Sequence, residues 1–208
     1  MMRAERASLV DMFEVEARGK VVVMHGVSWE TYLAMVANRG YKKWPKLTYL
    51  DGELEIVSPT GITHEVRKKV IARLIEAYAG VSGRQFNGCG NVTMQDRKRR
   101  VGLAPDECYY VGLFDPRKNP DLAIEVVITS GGLRKLAAYH RLGVREVWFW
   151  IRDGLQIYEL RGRSYSLLPR SGLFPELDLI DLAERVRSPA TTRDQTAAVE
   201  RYRAWLQA

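Results

Sequence analysis

At 208 residues, 46% of them hydrophobic, the chain is long enough to bury one substantial core, and its length suits a single domain over residues 1–208. A formal net charge of +7 is compatible with a polyanionic partner. No window approaches the roughly 18 consecutive apolar residues of a membrane span, the start at Met1 to Arg6 leads into no apolar leader, and Cys89 and Cys108 are too few for a disulfide framework and lie in no Cys/His metal spacing, so a membrane partner and export are not expected and a reduced cytoplasm is.

In chain order, residues 1 to about 27 carry little pattern beyond the apolar Val21 to Met24, which suits an edge strand. Ser28 to Asn38 predicts a helix with Ser28 as N-cap, Thr31 in its first turn and Gly40 past its end. Leu47 to Leu50 and Glu53 to Val57 flank Asp51-Gly52, the strongest short hairpin signal. A long helix follows, with Ile62, Val66, Val70, Leu74 and Tyr78 as an apolar stripe that packs across a sheet, while Arg67, Lys68 and Arg73 point elsewhere. From Arg84 to Val111 the pattern predicts two antiparallel strands joined by the basic turn Arg97, Lys98, Arg99 and Arg100, with Pro105 at the entry of the segment ending at Val111.

Leu122 to Ile128 is a short β-rich apolar run of the kind buried on both sheet faces. Gly131-Gly132 breaks it, and Leu133, Leu136, Ala137 and His140 then recur at helical spacing until Gly143 supplies a stop. Glu146 to Ile151 predicts a strand whose Trp148, Phe149 and Trp150 divide into core residues and one ring at a sheet edge. Leu155 to Leu160 and Ser164 to Leu168 alternate about Arg161-Gly162 as an added hairpin. Ala197, Val199, Tyr202 and Trp205 lie at loose helical spacing in a C-terminal helical arm, residues 188–208, suited to docking on a second copy of the chain.

Three positions in this order carry chemistry. Glu125 stands where a plain core would place Val or Ile, and a carboxylate there is costly unless it is paired or metal-bound. Asp106, which after Pro105 could be no more than a turn former, is its candidate partner on a neighbouring strand. Lys135 and Tyr139 fall at i and i+4 on one helix stripe. Two carboxylates displayed from neighbouring strands can hold a hard divalent cation through oxygen, and a nearby lysine can steady a phosphate or an attacking water. Carboxylate strand, carboxylate strand and lysine helix, in that order, form the constellation of a metal-dependent phosphodiesterase. His64, near a helix start, is a hydrogen-bonding or capping residue in one reading and a base in the other. Basic residues cluster at Lys42, Lys43 and Lys46, at Arg67, Lys68, Lys69 and Arg73, and at Arg97 to Arg100. The last cluster is either a solvated turn or a clamp on a phosphate backbone.

Tyr49 to Pro59 (YLDGELEIVSP), His64, Ala104 to Tyr110 (APDECYY), Asp121 to Val127 (DLAIEVV), Lys135 to Tyr139 (KLAAY) and Gly143 to Trp148 (GVREVW) resemble, in order and spacing, the motifs of the Uma-two family within the PD-(D/E)XK nuclease superfamily. The resemblance runs from about Tyr49 to Leu182. It implies an α/β (α+β), restriction-endonuclease-like αβββαβ core over residues 49–182, with a mixed central sheet flanked by helices, an N-terminal helix and hairpin, and a C-terminal hairpin and helix. It implies that Asp106 and Glu125 are ligands of Mg²⁺ or Mn²⁺, with a strand carbonyl near Val126 adding an oxygen. Lys135 matches a catalytic lysine that has moved from the strand, where Val127 now stands, to the following helix. Glu53 and His64 match site-lining residues, and Arg97, Lys98, Arg99, Arg100, Lys68 and Tyr139 are the expected contacts to nucleic acid. The implied activity is a Mg²⁺-dependent DNA endonuclease acting as a homodimer. A catalytically inactive nucleic-acid- or protein-binding module is the alternative, left open because Ala104 and Gly131 replace the Glu and Asp frequent in the family.

Overall fold

A computed structural model of the chain describes residues 14–18 (backbone), 21–40, 42, 44–58, 61–127 and 132–208; the expectations placed on Lys43, Pro59, Gly131 and residues 1–13 lie outside these. β1 (Glu14–Arg18) pairs antiparallel with β2 (Val21–His25). Ser28 caps α1 (Trp29–Arg39), its Oγ accepting from the Thr31 amide at 3.0 Å, and Gly40 ends the helix as expected. β3 (Lys46–Leu50) and β4 (Glu53–Val57) form the predicted hairpin, with Asp51 and Gly52 at φ 50° and 98°, the positive values that its two-residue turn demands. There follow α2 (Ile62–Val81), β5 (Phe86–Gly88), β6 (Met94–Asp96), β7 (Val101–Leu103), β8 (Glu107–Val111) and β9 (Leu122–Val127). A 3₁₀ turn at Gly132–Arg134 leads into α3 (Lys135–Leu142), then β10 (Glu146–Ile151), β11 (Gly154–Arg161), β12 (Ser164–Leu168), α4 (Leu179–Arg187), α5 (Pro189–Arg193) and α6 (Gln195–Leu206).

The single domain expected from length is organised as two compact units, Met1–Pro59 with Thr93–Ala104, and Thr60–Val92 with Pro105–Ala208. In the first, an antiparallel six-stranded sheet runs in the order β1-β2-β4-β3-β7-β6. Its core gathers Met24, Val27, Trp29, Tyr32, Leu47, Tyr49 and Leu54, with the rings of Trp29, Tyr32 and Tyr49 within 5.0–5.4 Å of one another. Tyr49 donates its hydroxyl to the Val27 carbonyl at 3.1 Å, so the buried phenol is satisfied. Gly102 on β7 lets the Tyr32 ring lie flat against the strand, because a Cβ there would overlap the ring and its hydroxyl.

The second unit holds the other six-stranded sheet, ordered β12-β11-β10-β9-β8-β5, parallel between β9 and β10 and antiparallel elsewhere. Val70, Ile71, Leu74, Ile75 and Tyr78 of α2 cover one face and pack with Tyr109, Leu122, Ile124, Val126, Trp148 and Trp150. The apolar stripe of α2 is shorter than predicted, for Ile62 in its first turn is 77% exposed. No aromatic ring of β10 lies at a sheet edge: the strand is flanked by β9 and β11, and Trp148, Phe149 and Trp150 are all fully buried. The added hairpin turns at Gly162-Arg163, one residue later than expected, where Gly162 takes a φ of 62° between the paired Arg161 and Ser164.

The two long strands expected between Arg84 and Val111 are instead two short pairs. β5 pairs with β8 in the second unit, while β6, β7 and their basic turn belong to the first. Gly90, at φ 64°, turns the chain out of line after β5, and Pro105, with no N–H to give, ends the ladder of β7. The C-terminal stripe expected to meet a second copy is covered in part within this chain, while Trp205 is 50% exposed. Val199 and Tyr202 of α6 join the α2 core, and Arg73 reaches Gln195 and Thr196. Among the described residues no helix is long and apolar enough to cross a membrane.

Candidate functional site

Sheet register brings the acidic residues of the second unit together. Glu107 of β8 lies opposite Ile124 of β9 at the end of their antiparallel ladder, so Asp106 and Glu125 occupy the adjoining positions immediately beyond it. The Val126 amide donates to Asp106 Oδ2 at 2.8 Å, which fixes the carboxylate at the mouth of β8. Asp106 and Glu125 are 4% and 2% exposed, so both carboxylates need compensation inside the fold.

For Glu125 it comes from α3. Lys135 Nζ donates to Oε2 at 2.8 Å and the Tyr139 hydroxyl to Oε1 at 2.5 Å. One helical turn separates the two donors, so a single rigid element serves both carboxylate oxygens. Lys135 opens the helix, where the macrodipole disfavours a cation, and the facing carboxylate offsets that penalty. Burial pushes the Tyr139 phenol well above its ordinary value, and the charge of Glu125, the bond to it and the charge of Asp106 push it further, so the hydroxyl stays a donor.

Asp106 receives its second contact from α2. His64 Nε2 lies 3.1 Å from Asp106 Oδ2, and its Nδ1 lies 3.2 Å from Glu65 Oε1. Lys68 Nζ donates to Glu65 Oε2 at 2.7 Å. Burial alone would raise the Glu65 carboxyl, but the hydrogen bond and charge of Lys68, with the bond to His64, outweigh it and hold the group below the usual range. Asp106 is thus linked through an imidazole and a carboxylate to a lysine on the same helix.

Among the residues expected at the site, Asp106, Glu125, Lys135, His64 and the Val126 backbone meet in the second unit. Tyr139, expected to touch nucleic acid, is wholly buried and bonded to Glu125, so its ring has no free face for stacking. Lys68 is bound to Glu65. Glu53 belongs to the first unit, where it faces His25 Nδ1 at 3.7 Å. Arg97, Lys98, Arg99 and Arg100 form the β6–β7 turn of that unit. Arg97 pairs with Glu30 at 2.8 Å, Arg99 with Asp96 at 3.5 Å and Arg100 with Asp51 at 3.0 Å. Glu65 went unnoticed in the sequence reading; its i,i+3 spacing from Lys68 was the available signal. Among the described residues, no group of three or more His, Cys, Asp and Glu side chains is arranged to hold a metal ion.

Two six-stranded sheets with flanking helices define a mixed α/β protein. Residues 29–186 match the model of the Uma2 family, described as "Putative restriction endonuclease", and the chain belongs to that family. The match begins at α1, about a helix and a strand ahead of the motifs at Tyr49. The solved structures it resembles include one from Anabaena variabilis ATCC 29413 described as "a putative nuclease belonging to DUF820", with 14% identity, a TM-score of 0.51, and coverage of 77% of this chain and 99% of that one. At that identity the likeness is one of fold. No curated protein matches the chain.

Proposed function

We propose that this chain is a divalent-metal-dependent endonuclease that hydrolyses phosphodiester bonds in DNA, with Asp106 and Glu125 as its metal-holding carboxylates. The observation that carries the reading is a buried carboxylate on β9 bonded to a lysine, with a second buried carboxylate, Asp106, held by the amide of the next residue of that strand. The chain order α2, β5, β8, β9, α3, β10 within the second unit supports the αβββαβ core that this reading entails.

The donor set fits a hard cation. Carboxylate oxygens suit Mg²⁺ or Mn²⁺, and the pair has the negative charge to hold one, now balanced by Lys135 on Glu125 and by His64 beside Asp106. Bound there, such an ion lowers the pKa of a water and polarises the scissile phosphate. Lys135 would neutralise charge building on the phosphate. Tyr139 keeps Glu125 in its rotamer, and His64, braced by Glu65, does the same for Asp106. DNA as substrate rests on the family's description and on the net charge of +7. A homodimer follows from chemistry, since one such site cuts one strand and a two-fold pair cuts both.

The inactive binding module retains one specific observation in its favour: both oxygens of Glu125 are already engaged by Lys135 and Tyr139. Plasmid nicking separates the two readings. The full-length protein is expected to nick supercoiled DNA with Mg²⁺ or Mn²⁺ and not in chelator, and Asp106→Asn and Glu125→Gln are each expected to lose on the order of 100-fold or more while staying folded. Absence of nicking with either ion, with DNA retardation intact in wild type and both variants, would establish the module instead.

A further inference from the structure

We propose that Cys89 and Cys108 form a reversible thiol–disulfide site that exchanges with low-molecular-weight disulfides. Gly88 of β5 pairs with Tyr109 of β8, so the next step of the antiparallel register sets Cys89 directly opposite Cys108. The Cys89 amide donates to the Cys108 carbonyl at 2.9 Å, and the two sulfurs are 2.9 Å apart. Hydrogen-bonded partners across antiparallel strands have Cα atoms about 5.5 Å apart, a separation at the centre of the range found in disulfides. The register and the 2.9 Å approach of the sulfurs therefore put the pair within disulfide reach, and both cysteines are present as thiols.

The two sulfurs differ in access, which assigns their roles. Cys89 is half-buried and Cys108 fully buried, so a reagent meets Cys89 first. The hydrogen bond from Cys108 holds the Cys89 thiol below its ordinary range, which raises the fraction present as the attacking thiolate. Cys108, with its Sγ also 3.1 Å from the Gly90 carbonyl, lies behind it as the resolving sulfur.

The exchange balances in two steps. Cys89 sulfur attacks a small disulfide RSSR, forming a mixed disulfide and releasing RS⁻, which takes up the Cys89 proton. Cys108 sulfur then attacks the Cys89 sulfur, the second RS⁻ leaves with the Cys108 proton, and the protein has lost two electrons to RSSR, now two RSH. A dithiol runs the sequence in reverse. None of this depends on the nuclease reading, since neither thiol takes part in that chemistry.

The test equilibrates the folded, full-length protein with glutathione and glutathione disulfide at graded ratios, then alkylates it and maps peptides without reduction. Expected is loss of both free thiols to one intramolecular Cys89–Cys108 link, reversed by dithiothreitol. Cys108→Ser is expected to stop with one glutathione on Cys89, and Cys89→Ser to remain unreactive while folded. Retention of both thiols in the oxidised buffer, glutathione on wild-type Cys89 with no internal link, or links only between copies would each overturn the proposal. The wild-type peptide map decides by itself should a variant fail to fold.

Discussion

Lys135→Met breaks the buried ion pair with Glu125 in the second unit. Methionine keeps an unbranched apolar stem of similar length but leaves the Glu125 carboxylate, 2% exposed, with the Tyr139 hydroxyl as its remaining partner in α3. Removing one member of a buried pair costs about 3–5 kcal/mol. Two effects favour the low end of that range. Tyr139 still donates to a charged acceptor, a bond of about 1.5–3 kcal/mol, and the helix dipole, which disfavours a cation at the first position of α3, returns roughly 0.3–1 kcal/mol. A loss of about 3 kcal/mol is expected. Lys135→Met/Glu125→Gln, which removes both charges and leaves an amide able to accept from Tyr139, is expected to recover about 2 kcal/mol of it. Urea titration with hydrogen exchange read at the β9 and β10 amides confines the measurement to the second unit. A single-variant loss below about 1 kcal/mol, or a double variant equal to the sum of the singles, would show that the pair is not coupled as its 2.8 Å bond implies.

Two further outcomes follow from the same coordinates. Gly102→Ala drives a methyl into the Tyr32 ring and is expected to cost about 1–3 kcal/mol in the first unit, seen as a lowered urea midpoint there. Glu107 and Glu65 are expected to give opposite pH responses. Burial, reinforced by Glu76 and only partly offset by Lys69 and Lys68, raises the Glu107 carboxyl above its ordinary 4.5. The folded chain therefore holds that proton more tightly than the unfolded chain, and stability falls as pH rises from about 4.5 through the folded value. Glu107→Gln should thus gain stability over wild type at neutral pH and lose the advantage near pH 3. Glu65, whose carboxyl is held low, contributes stability that is present above about 4.5 and lost as pH falls through its folded value. Glu65→Gln should thus be destabilised at neutral pH and match wild type in acid.

The elements that were legible in the sequence are those whose signal is local. Ser28 marks the start of α1, Asp51-Gly52 the β3–β4 turn and Gly143 the end of α3, because a cap, a turn and a left-handed stop are each decided by a few neighbouring residues. Glu125 and Asp106 stood out because charge in an apolar strand requires a partner. What failed was partner choice across distance. Nothing local in Met94 to Leu103 says that β6 and β7 join a different sheet from β5 and β8. Helical spacing put Lys135 and Tyr139 on one stripe but could not say that the stripe faces Glu125 and leaves the tyrosine ring no open face. The same gap hid Glu65, whose importance appears only once His64 is seen to touch Asp106.

Buried charge is the feature of this unit that stability explains least. An ion pair in a core is often no better, and can be about 1–4 kcal/mol worse, than apolar residues of the same volume. The apolar solution is in use on the neighbouring positions of β9, where Ile124 and Val126 pack under α2. Glu146 shows what a structural buried carboxylate looks like here: Trp148 Nε1, Ser171 Oγ and the Leu173 amide all donate to it, so its charge helps fasten the loop that Arg84 also holds through the Leu173 carbonyl. Among the described residues Glu125 bonds to no loop. Its partners sit on one short helix that Leu142, Ala138 and the Tyr139 ring already anchor by burial. Charge kept in a core at a cost, where packing alone would hold the elements together, is what a site that must meet a phosphate and a cation requires.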